Sequence, residues 1–199
     1  MSAGAHLPPA QQGTGSRKAA RFRLSRGRRR RYADNVNHAT YWTPADKARA
    51  FPTRIIPGMV AQAAADVADE TLHLWLQADG VAAAPRGLPQ LYALHQAARA
   101  GRYRAPIMPN SDTVHPVSIT LTMGGDCDQW AVVLLAALAA LGYEAQLCTM
   151  GDRRDPYQHV AVRVRHAGHW IWLDPKGDQA GREFGTVDPH YTEARAWLA

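Results

Sequence analysis

The strongest constraint on the fold is an apolar segment, residues 131–141, that follows the run Gly-Gly-Asp-Cys-Asp at residues 124–128. Nearly every side chain of this segment is apolar, so a helix formed by it has no polar face and must be buried. Asp126 is placed to cap the start of that helix, and Gly142 is placed to end it. The sequence therefore predicts a central buried helix with Cys127 in its first turn.

The position of Cys127 indicates a nucleophile. In the first turn of a helix, the unpaired backbone N–H groups and the helix dipole favour a thiolate and can bind a developing oxyanion. Asp126 and Asp128 flank the cysteine, and their charges oppose thiolate formation. Gln129 is expected to point away from Cys127, because residues two positions apart do not share a helix face.

Residues 1–33 differ in composition from the rest of the chain. Nine of the 23 basic residues lie between residues 17 and 31, and no acidic residue precedes Asp34, which leaves 14 basic against 17 acidic residues elsewhere. The stretch has few aliphatic side chains and is predicted to be a disordered arm. Its charge suits weak contact with nucleic acid or another polyanion; a solubilising tail, or an extension from a misplaced start codon, is the alternative.

Residues 34–199 are predicted to form a single domain, since a chain of 199 residues with 46% apolar side chains suits one core. Within it, residues 34–87 are expected to be a helical extension and residues 88–185 the core. The longest apolar run is about half of the roughly 20 residues that span a bilayer, so no membrane contact is expected. Only two cysteines and no signal-like apolar segment after the arginines predict a reducing, cytoplasmic setting.

Local patterns predict helices in the first half of the chain. Pro44 follows a threonine, which is typical of a helix start, whereas Pro52 and Pro57 are expected to break the chain. Apolar periodicity and turn residues bound the remaining helices. The predicted helices are residues 43–51, 58–77 and 89–101.

Beyond residue 101 the patterns change. Residues 102–123 contain three prolines and are predicted to be irregular or strand-like, with Val117, Ile119 and Leu121 on one strand face. After the central helix, alternating apolar residues predict strands, and the last two are joined as a hairpin. These strands are residues 144–150, 159–165 and 170–174. A helical half followed by antiparallel strands predicts an α+β fold.

The hairpin brings a histidine and a carboxylate together. If residues 167 and 168 form its two-residue turn, Asp174 becomes the diagonal neighbour of His159 on one face of the sheet. With the central helix packed against that face, Cys127, His159 and Asp174 would supply a nucleophile, a general base and the carboxylate that orients it.

At these residues the chain resembles the transglutaminase-like branch of the papain-like cysteine peptidase superfamily, and in particular the small proteins of this type encoded by bacteriophages and prophages. The resemblance covers residues 88–185, with specific motifs in 124–175. It implies a papain-like core, with Cys127, His159 and Asp174 as a catalytic triad acting through a thioester. It also implies an oxyanion donor from an upstream segment, to which neither Trp75 nor Tyr103 can be aligned.

The resemblance implies a cysteine-dependent amide hydrolase or acyl transferase acting on a protein or peptide, with cell-wall peptides among the candidates. A phage-encoded protein of this type would work in the host cytoplasm or in the virion. Trp170 and Trp172 share the predicted face of Asp174 and are candidate substrate-binding residues. The alternative is a non-catalytic phage or prophage assembly protein that retains the fold.

No cofactor or metal is expected. Cys148 is predicted to be a buried strand residue. A zinc site made from Cys127, Cys148 and His159 would lack the closely spaced ligand pairs that are typical of such sites.

Overall fold

The computed structural model describes residues 44–104, 114–174, 184–187 and 191–198. The predicted arm, residues 1–33, lies outside these ranges, and so does the first residue of the predicted helix 43–51. The helices are α1 (Pro44–Ala50), a π-helical turn (Phe51–Ile55), α2 (Ile56–Ala65), α3 (Glu70–Ala78), α4 (Leu88–Ala100), α5 (Val117–Met123) and α6 (Cys127–Ala140). The strands are β1 (Ala145–Gly151), β2 (His159–His166), β3 (His169–Leu173) and β4 (Glu193–Leu198).

Helix α6 is the central helix that the sequence predicts. Its residues 130–138 are all buried, and they form one core with the inward side chains of the sheet and of the other helices. Asp126 caps its start, and Gly142 adopts a positive φ of 72° just after its end. Arg86 donates hydrogen bonds to the carbonyls of Leu141 and Gly142 at this end of the helix.

The four described strands form an antiparallel sheet in the order β3-β2-β1-β4, which confirms the α+β class. Strands β2 and β3 form the predicted hairpin in the predicted register, with Val162 opposite Leu173. The face on which α6 packs was predicted wrongly. Helix α6 packs against the buried face that carries Val160, Val162 and Val164, because these are the apolar side chains of β2, and not against the face of His159.

The two prolines near the start of the domain do not interrupt the helical path, contrary to the sequence prediction. Pro52 lies in the π-helical turn, where the N–H of Ile56 bonds to the carbonyl of Phe51. Pro57 occupies the first turn of α2, where the fixed φ of proline suits a helix. The path therefore continues from α1 into α2.

Two aspartates explain two further corrections. The helix predicted for residues 58–77 is divided into α2 and α3, because Asp69 caps α3 by accepting the N–H groups of Thr71 and Leu72. The strand predicted around Val117 is helix α5, whose first N–H is accepted by Asp66 at 2.9 Å. This cap comes from 51 residues away, so no local pattern in 102–123 reveals it.

Strand β4 was not predicted, and it extends the fold beyond the predicted core of 88–185. It pairs with the edge of β1, and the indole of its Trp197 donates to Thr149 at 3.2 Å. None of the described helices combines the length and the apolar character that crossing a bilayer requires.

Candidate active site

The turn before α6 fixes Cys127 as the first residue of the helix. Gly124 has a φ of 84°, and a Cβ on it would lie 2.4 Å from the carbonyl oxygen of Arg102. A larger residue would therefore be both strained and in collision with backbone. Two residues further on, the carboxylate of Asp126 accepts the N–H of Gln129 at 3.2 Å. The turn and the cap together hold Cys127 where its own N–H has no intrahelical acceptor.

His159 and Asp174 form a buried pair, as the hairpin register predicts. Nε2 of His159 lies 2.9 Å from each carboxylate oxygen of Asp174, and the two residues are only 6% and 4% exposed. Because a carboxylate oxygen accepts, Nε2 carries the hydrogen, and Nδ1 is the nitrogen left for proton transfer. The ring of Tyr191 stacks on the imidazole with centroids 5.4 Å apart and an interplanar angle of 11°. The imidazole is thus oriented by the carboxylate at its edge and by the tyrosine across its face.

Cys127 lies beside the start of β2, where His159 is the first residue. The backbone N–H of Val160 is close enough to the cysteine sulfur to lower the pKa of the thiol slightly. In the conformation described, the thiol donates to Oδ1 of Asp128 at 3.3 Å, and within the described ranges Cys127 and His159 share no hydrogen bond. The structure therefore brings His159 and Asp174 into direct contact and sets Cys127 next to the start of β2, with its proton directed to Asp128.

The electrostatics of Cys127 decide between the helix start, which favours a thiolate, and the flanking carboxylates, which oppose it. Burial raises the pKa of the Cys127 thiol well above its ordinary value, and the charges of Asp128 and Asp126 add to this rise, against a smaller opposite effect of the Val160 N–H. The helix start does not overcome two neighbouring carboxylates and the loss of solvent. The resting thiol is therefore protonated at neutral pH.

The pKa values of the two carboxylates beside the thiol are also raised. Burial, followed by the charge of Asp128, raises the pKa of Asp126 to about 6. Burial also raises the pKa of Asp128, whereas its hydrogen bond from the thiol and its nearness to His159 and Lys47 act in the opposite direction. Both carboxylates therefore hold a proton more readily than an exposed aspartate does.

The N-terminal helices reach this site, which no sequence pattern indicated. Lys47 of α1 lies 3.5 Å from a carboxylate oxygen of Asp155, in the loop that leads to His159. Phe51 stacks on Tyr157 of the same loop with centroids 5.0 Å apart. The extension thus supports the segment that carries His159 as well as lying near Asp128.

The two candidate substrate-binding tryptophans lie on the face of Asp174 but at different distances from it. Trp170 is beneath the guanidinium groups of Arg163 and Arg165, at 4.5 and 5.6 Å from the ring centroid. It is four residues from Asp174, or roughly 13 Å along a strand. Trp172 is two residues from Asp174 and is bridged to Gly185. Of the two, Trp172 is the nearer to the His159–Asp174 pair.

Cys148 is buried in β1, in agreement with a core role, and burial raises the pKa of its thiol to about 11. Both cysteines are free thiols. Within the described ranges, no group of three or more His, Cys, Asp or Glu side chains is arranged to hold a metal ion.

A comparison with solved structures finds a crystal structure described as that of a TGase, a transglutaminase. The match covers 82% of this chain and 41% of that chain, with a TM-score of 0.47 and 12% sequence identity. This chain therefore spans less than half of that protein. No protein-family model matches the sequence, and no curated protein matches it. At this level of similarity the likeness assigns no function.

The contact between Cys127 and Asp128 predicts the effect of Asp128→Asn. The substitution removes a negative charge that disfavours the thiolate, so the pKa of Cys127 falls and the thiolate fraction at pH 7 rises. Alkylation of Cys127 by iodoacetamide at pH 7 should rise about tenfold, and the whole rate profile should move to lower pH. The measurement is site-resolved mass spectrometry of alkylation between pH 6 and 10.

Glu144→Gln is the matched control, because Glu144 is exposed and forms an ion pair with Arg165, away from the thiol. Its profile should coincide with that of the wild type. An unchanged profile in Asp128→Asn would show that the carboxylate does not govern the thiol.

Proposed function

We propose that this protein is a transglutaminase-like, cysteine-dependent acyl transferase or amide hydrolase with a papain-like active site. In this proposal Cys127 is the nucleophile, His159 the general base and acid, and Asp174 the carboxylate that orients the imidazole. The observation that supports it best is the buried His159–Asp174 pair, in which Nε2 of His159 lies within hydrogen-bond distance of both carboxylate oxygens. His159 is the first residue of β2, the strand beside Cys127. A buried imidazole with one nitrogen held by a carboxylate is suited to moving a proton through the other.

The raised pKa of Cys127 favours attack by a thiol that loses its proton during the reaction over attack by a preformed thiolate. Rotation of the thiol from Asp128 toward Nδ1 of His159 starts the step. Nδ1 takes the proton as the sulfur bonds to the carbonyl carbon, and the π electrons of the carbonyl move to its oxygen. Collapse of this intermediate re-forms the carbonyl and expels the amine, which takes the proton from His159, and a thioester remains on Cys127.

The thioester is resolved by water or by an amine. In either case the attacking group gives its proton to His159, and the sulfur leaves with the electron pair and regains a proton. Water gives a hydrolase and an amine gives an acyl transferase. We propose a protein or peptide as the acyl donor, with cell-wall peptides among the candidates, and Trp172 as a residue that contacts it. Two free thiols suit a reducing, cytoplasmic setting for this chemistry.

One observation favours a second candidate. The thiol of Cys127 is engaged by Asp128, as expected for a protein that keeps the fold without the chemistry, such as a phage or prophage assembly protein. In that case the basic arm, residues 1–33, would supply contacts with nucleic acid or another polyanion.

Alkylation of the two cysteines separates these candidates. In the proposed enzyme, His159→Ala should slow alkylation of Cys127 at pH 7 by about 100-fold, since the base is removed. Cys148 is the internal control, because it is buried in β1 and should react equally slowly in both proteins. Alkylation of Cys127 at the rate of Cys148, with no effect of His159→Ala, would favour the non-catalytic candidate.

A further inference from the structure

The outer face of the β2–β3 hairpin, opposite the face on which α6 packs, carries two arginines and two tryptophans. In the antiparallel register Arg163 lies opposite Trp172, and Arg165 lies opposite Trp170. Side chains alternate along a strand, so all four share the face of His159. Arg163 is four residues from His159, or roughly 13 Å along β2, and Arg165 is roughly 20 Å from it. The hairpin therefore presents cations and aromatic rings on the same side of the sheet as the imidazole.

Trp170 orders both guanidinium groups. The Cζ atoms of Arg163 and Arg165 lie 4.5 and 5.6 Å from the centroid of its ring. Nε and Nη2 of Arg163 also donate to Oε1 of Gln146, at 2.9 and 2.7 Å. A guanidinium group that is stacked on an indole and held by hydrogen bonds loses little further freedom when an anion binds to it. The two cations are therefore arranged for a ligand in advance.

The guanidinium groups also keep donors for a ligand. Arg163 uses Nε and Nη2 for Gln146, which leaves Nη1. Nη1 of Arg165 lies 3.9 Å from Oε1 of Glu144, and these two side chains are 49% and 63% exposed. An exposed ion pair of this length contributes little to stability, so the carboxylate of a ligand can take the place of Glu144.

The spacing of the two arginines suits an extended peptide. Arg163 and Arg165 are two residues apart on one strand, or about 7 Å. Alternate side chains of an extended peptide have the same spacing and lie on one side of it. Carboxylates at alternate positions would therefore meet the two guanidinium groups, with which they form strong, paired hydrogen bonds.

The charge of the chain favours a short acidic segment over a nucleic acid as the partner of this face. Outside residues 1–33, the sequence has 14 basic and 17 acidic residues. A nucleic acid binds through a row of many cations, and the net negative charge of residues 34–199 opposes its approach. Two fixed guanidinium groups match the few charges of an acidic peptide segment.

We propose that Arg163, Arg165 and Trp170 form a binding site for the acidic segment of an extended polypeptide. The carboxylates bind the two guanidinium groups, and Trp170 keeps these groups in place. The assignment of this polypeptide as the acyl donor rests on the proposed function. On that assignment, the acidic residues of the donor lie roughly four to six positions from the amide that Cys127 attacks, as the distance from His159 to the arginines requires.

The test is the binding of a fluorescein-labelled peptide of alternating glutamate and serine to the full-length protein, measured by fluorescence anisotropy at low salt. We expect the double variant Arg163→Gln/Arg165→Gln to weaken binding about tenfold. Arg163→Lys/Arg165→Lys should weaken it about threefold, because an ammonium group keeps the charge without the paired hydrogen bonds. Arg49→Gln/Arg153→Gln is the matched control, since it removes the same charge from two exposed positions elsewhere and should bind as the wild type does.

Equal losses in the two glutamine double variants would overturn the proposal, because net charge or the basic arm would then govern binding. Equal affinity of the wild type for a peptide of alternating glutamine and serine would overturn it as well. Loss of labelled oligothymidylate binding in Arg163→Gln/Arg165→Gln, without loss of the glutamate peptide, would assign this face to a nucleic acid instead.

The p-nitrophenyl esters of the two peptides test the assignment of the acyl donor. At low ester concentration, Cys127 of the wild type should be acylated about tenfold faster by the glutamate ester than by the glutamine ester. Equal rates would refute the donor assignment. Acylation of Cys127 by neither ester would refute the proposed function, whereas the anisotropy measurement would still decide whether the face binds an acidic peptide.

Discussion

Gly101→Ala is expected to lower the free energy of unfolding by about 3 kcal/mol. A Cβ on Gly101 would lie 2.0 and 2.2 Å from two ring atoms of Trp130, which is 2% exposed. The φ of Gly101 is −65°, so the cost arises from overlap and not from backbone strain. A buried indole cannot move aside, and the displaced segment is the one that holds the turn before Cys127. Urea unfolding of both proteins measures the change.

Gly58→Ala is the matched control within the same fold. Gly58 lies inside α2, and its added Cβ would meet only Val114, at an ordinary contact distance of 3.8 Å. Alanine is the better helix former, so this variant should be more stable than the wild type by about 0.5–1 kcal/mol. Equal stabilities for the two alanine variants would refute the close packing of Gly101 on Trp130.

Asp174→Asn is expected to slow acetylation of Cys127 by p-nitrophenyl acetate by about 1000-fold. The amide oxygen of asparagine can still accept the hydrogen bond from Nε2 of His159, so the local structure should persist. The negative charge that stabilises the imidazole after it takes the thiol proton is lost, and the amide can also present its NH₂ group and favour the wrong tautomer. The burst of p-nitrophenolate, measured by stopped flow, reports the rate.

Asp69→Asn tests whether any loss of a carboxylate has this effect. Asp69 caps α3, and asparagine is an equally good cap, so neither the stability nor the acetylation rate should change appreciably. If Asp174→Asn acetylated Cys127 as fast as Asp69→Asn does, Asp174 would have no part in the chemistry.

The hairpin and its register could be predicted from sequence because its signals are local. Ala167 and Gly168 both have positive φ, 49° and 81°, as the tight two-residue turn between twisted strands requires. The valines of β2 then fix which side chains face the core. This register alone places Asp174 beside His159, so the most specific part of the candidate site was predictable.

Other elements depend on partners that are distant in sequence. Strand β4 carries the residues Glu-Ala-Arg-Ala-Trp-Leu, in which glutamate and alanine are poor strand formers, and its pairing with the edge of β1 determines its conformation. The first N–H of helix α5 is accepted by Asp66, the residue that follows α2. The alternation of Val117, Ile119 and Leu121 predicts a strand, but the hydrogen bond to Asp66 stabilises a helix there.

The parts of the site that the sequence did not reveal are those set by packing. Tyr191 comes from a segment without any motif, and only the folded chain stacks its ring on His159. The sequence left two opposed effects on the thiol, because the helix start favours a thiolate and the flanking carboxylates oppose it. The burial of Cys127 and its contact with Asp128, which decide between them, depend on the surrounding structure.

The most direct test of the central claim is to trap the acyl group on Cys127. The wild type and His159→Ala are treated with p-nitrophenyl acetate, quenched in acid and mapped by mass spectrometry, with and without neutral hydroxylamine. The account predicts an acetyl group on Cys127 that hydroxylamine removes, as expected of a thioester, and that is absent from His159→Ala. Acetylation of Cys127 to the same extent in both proteins, or of lysines and Cys148 alone, would contradict it.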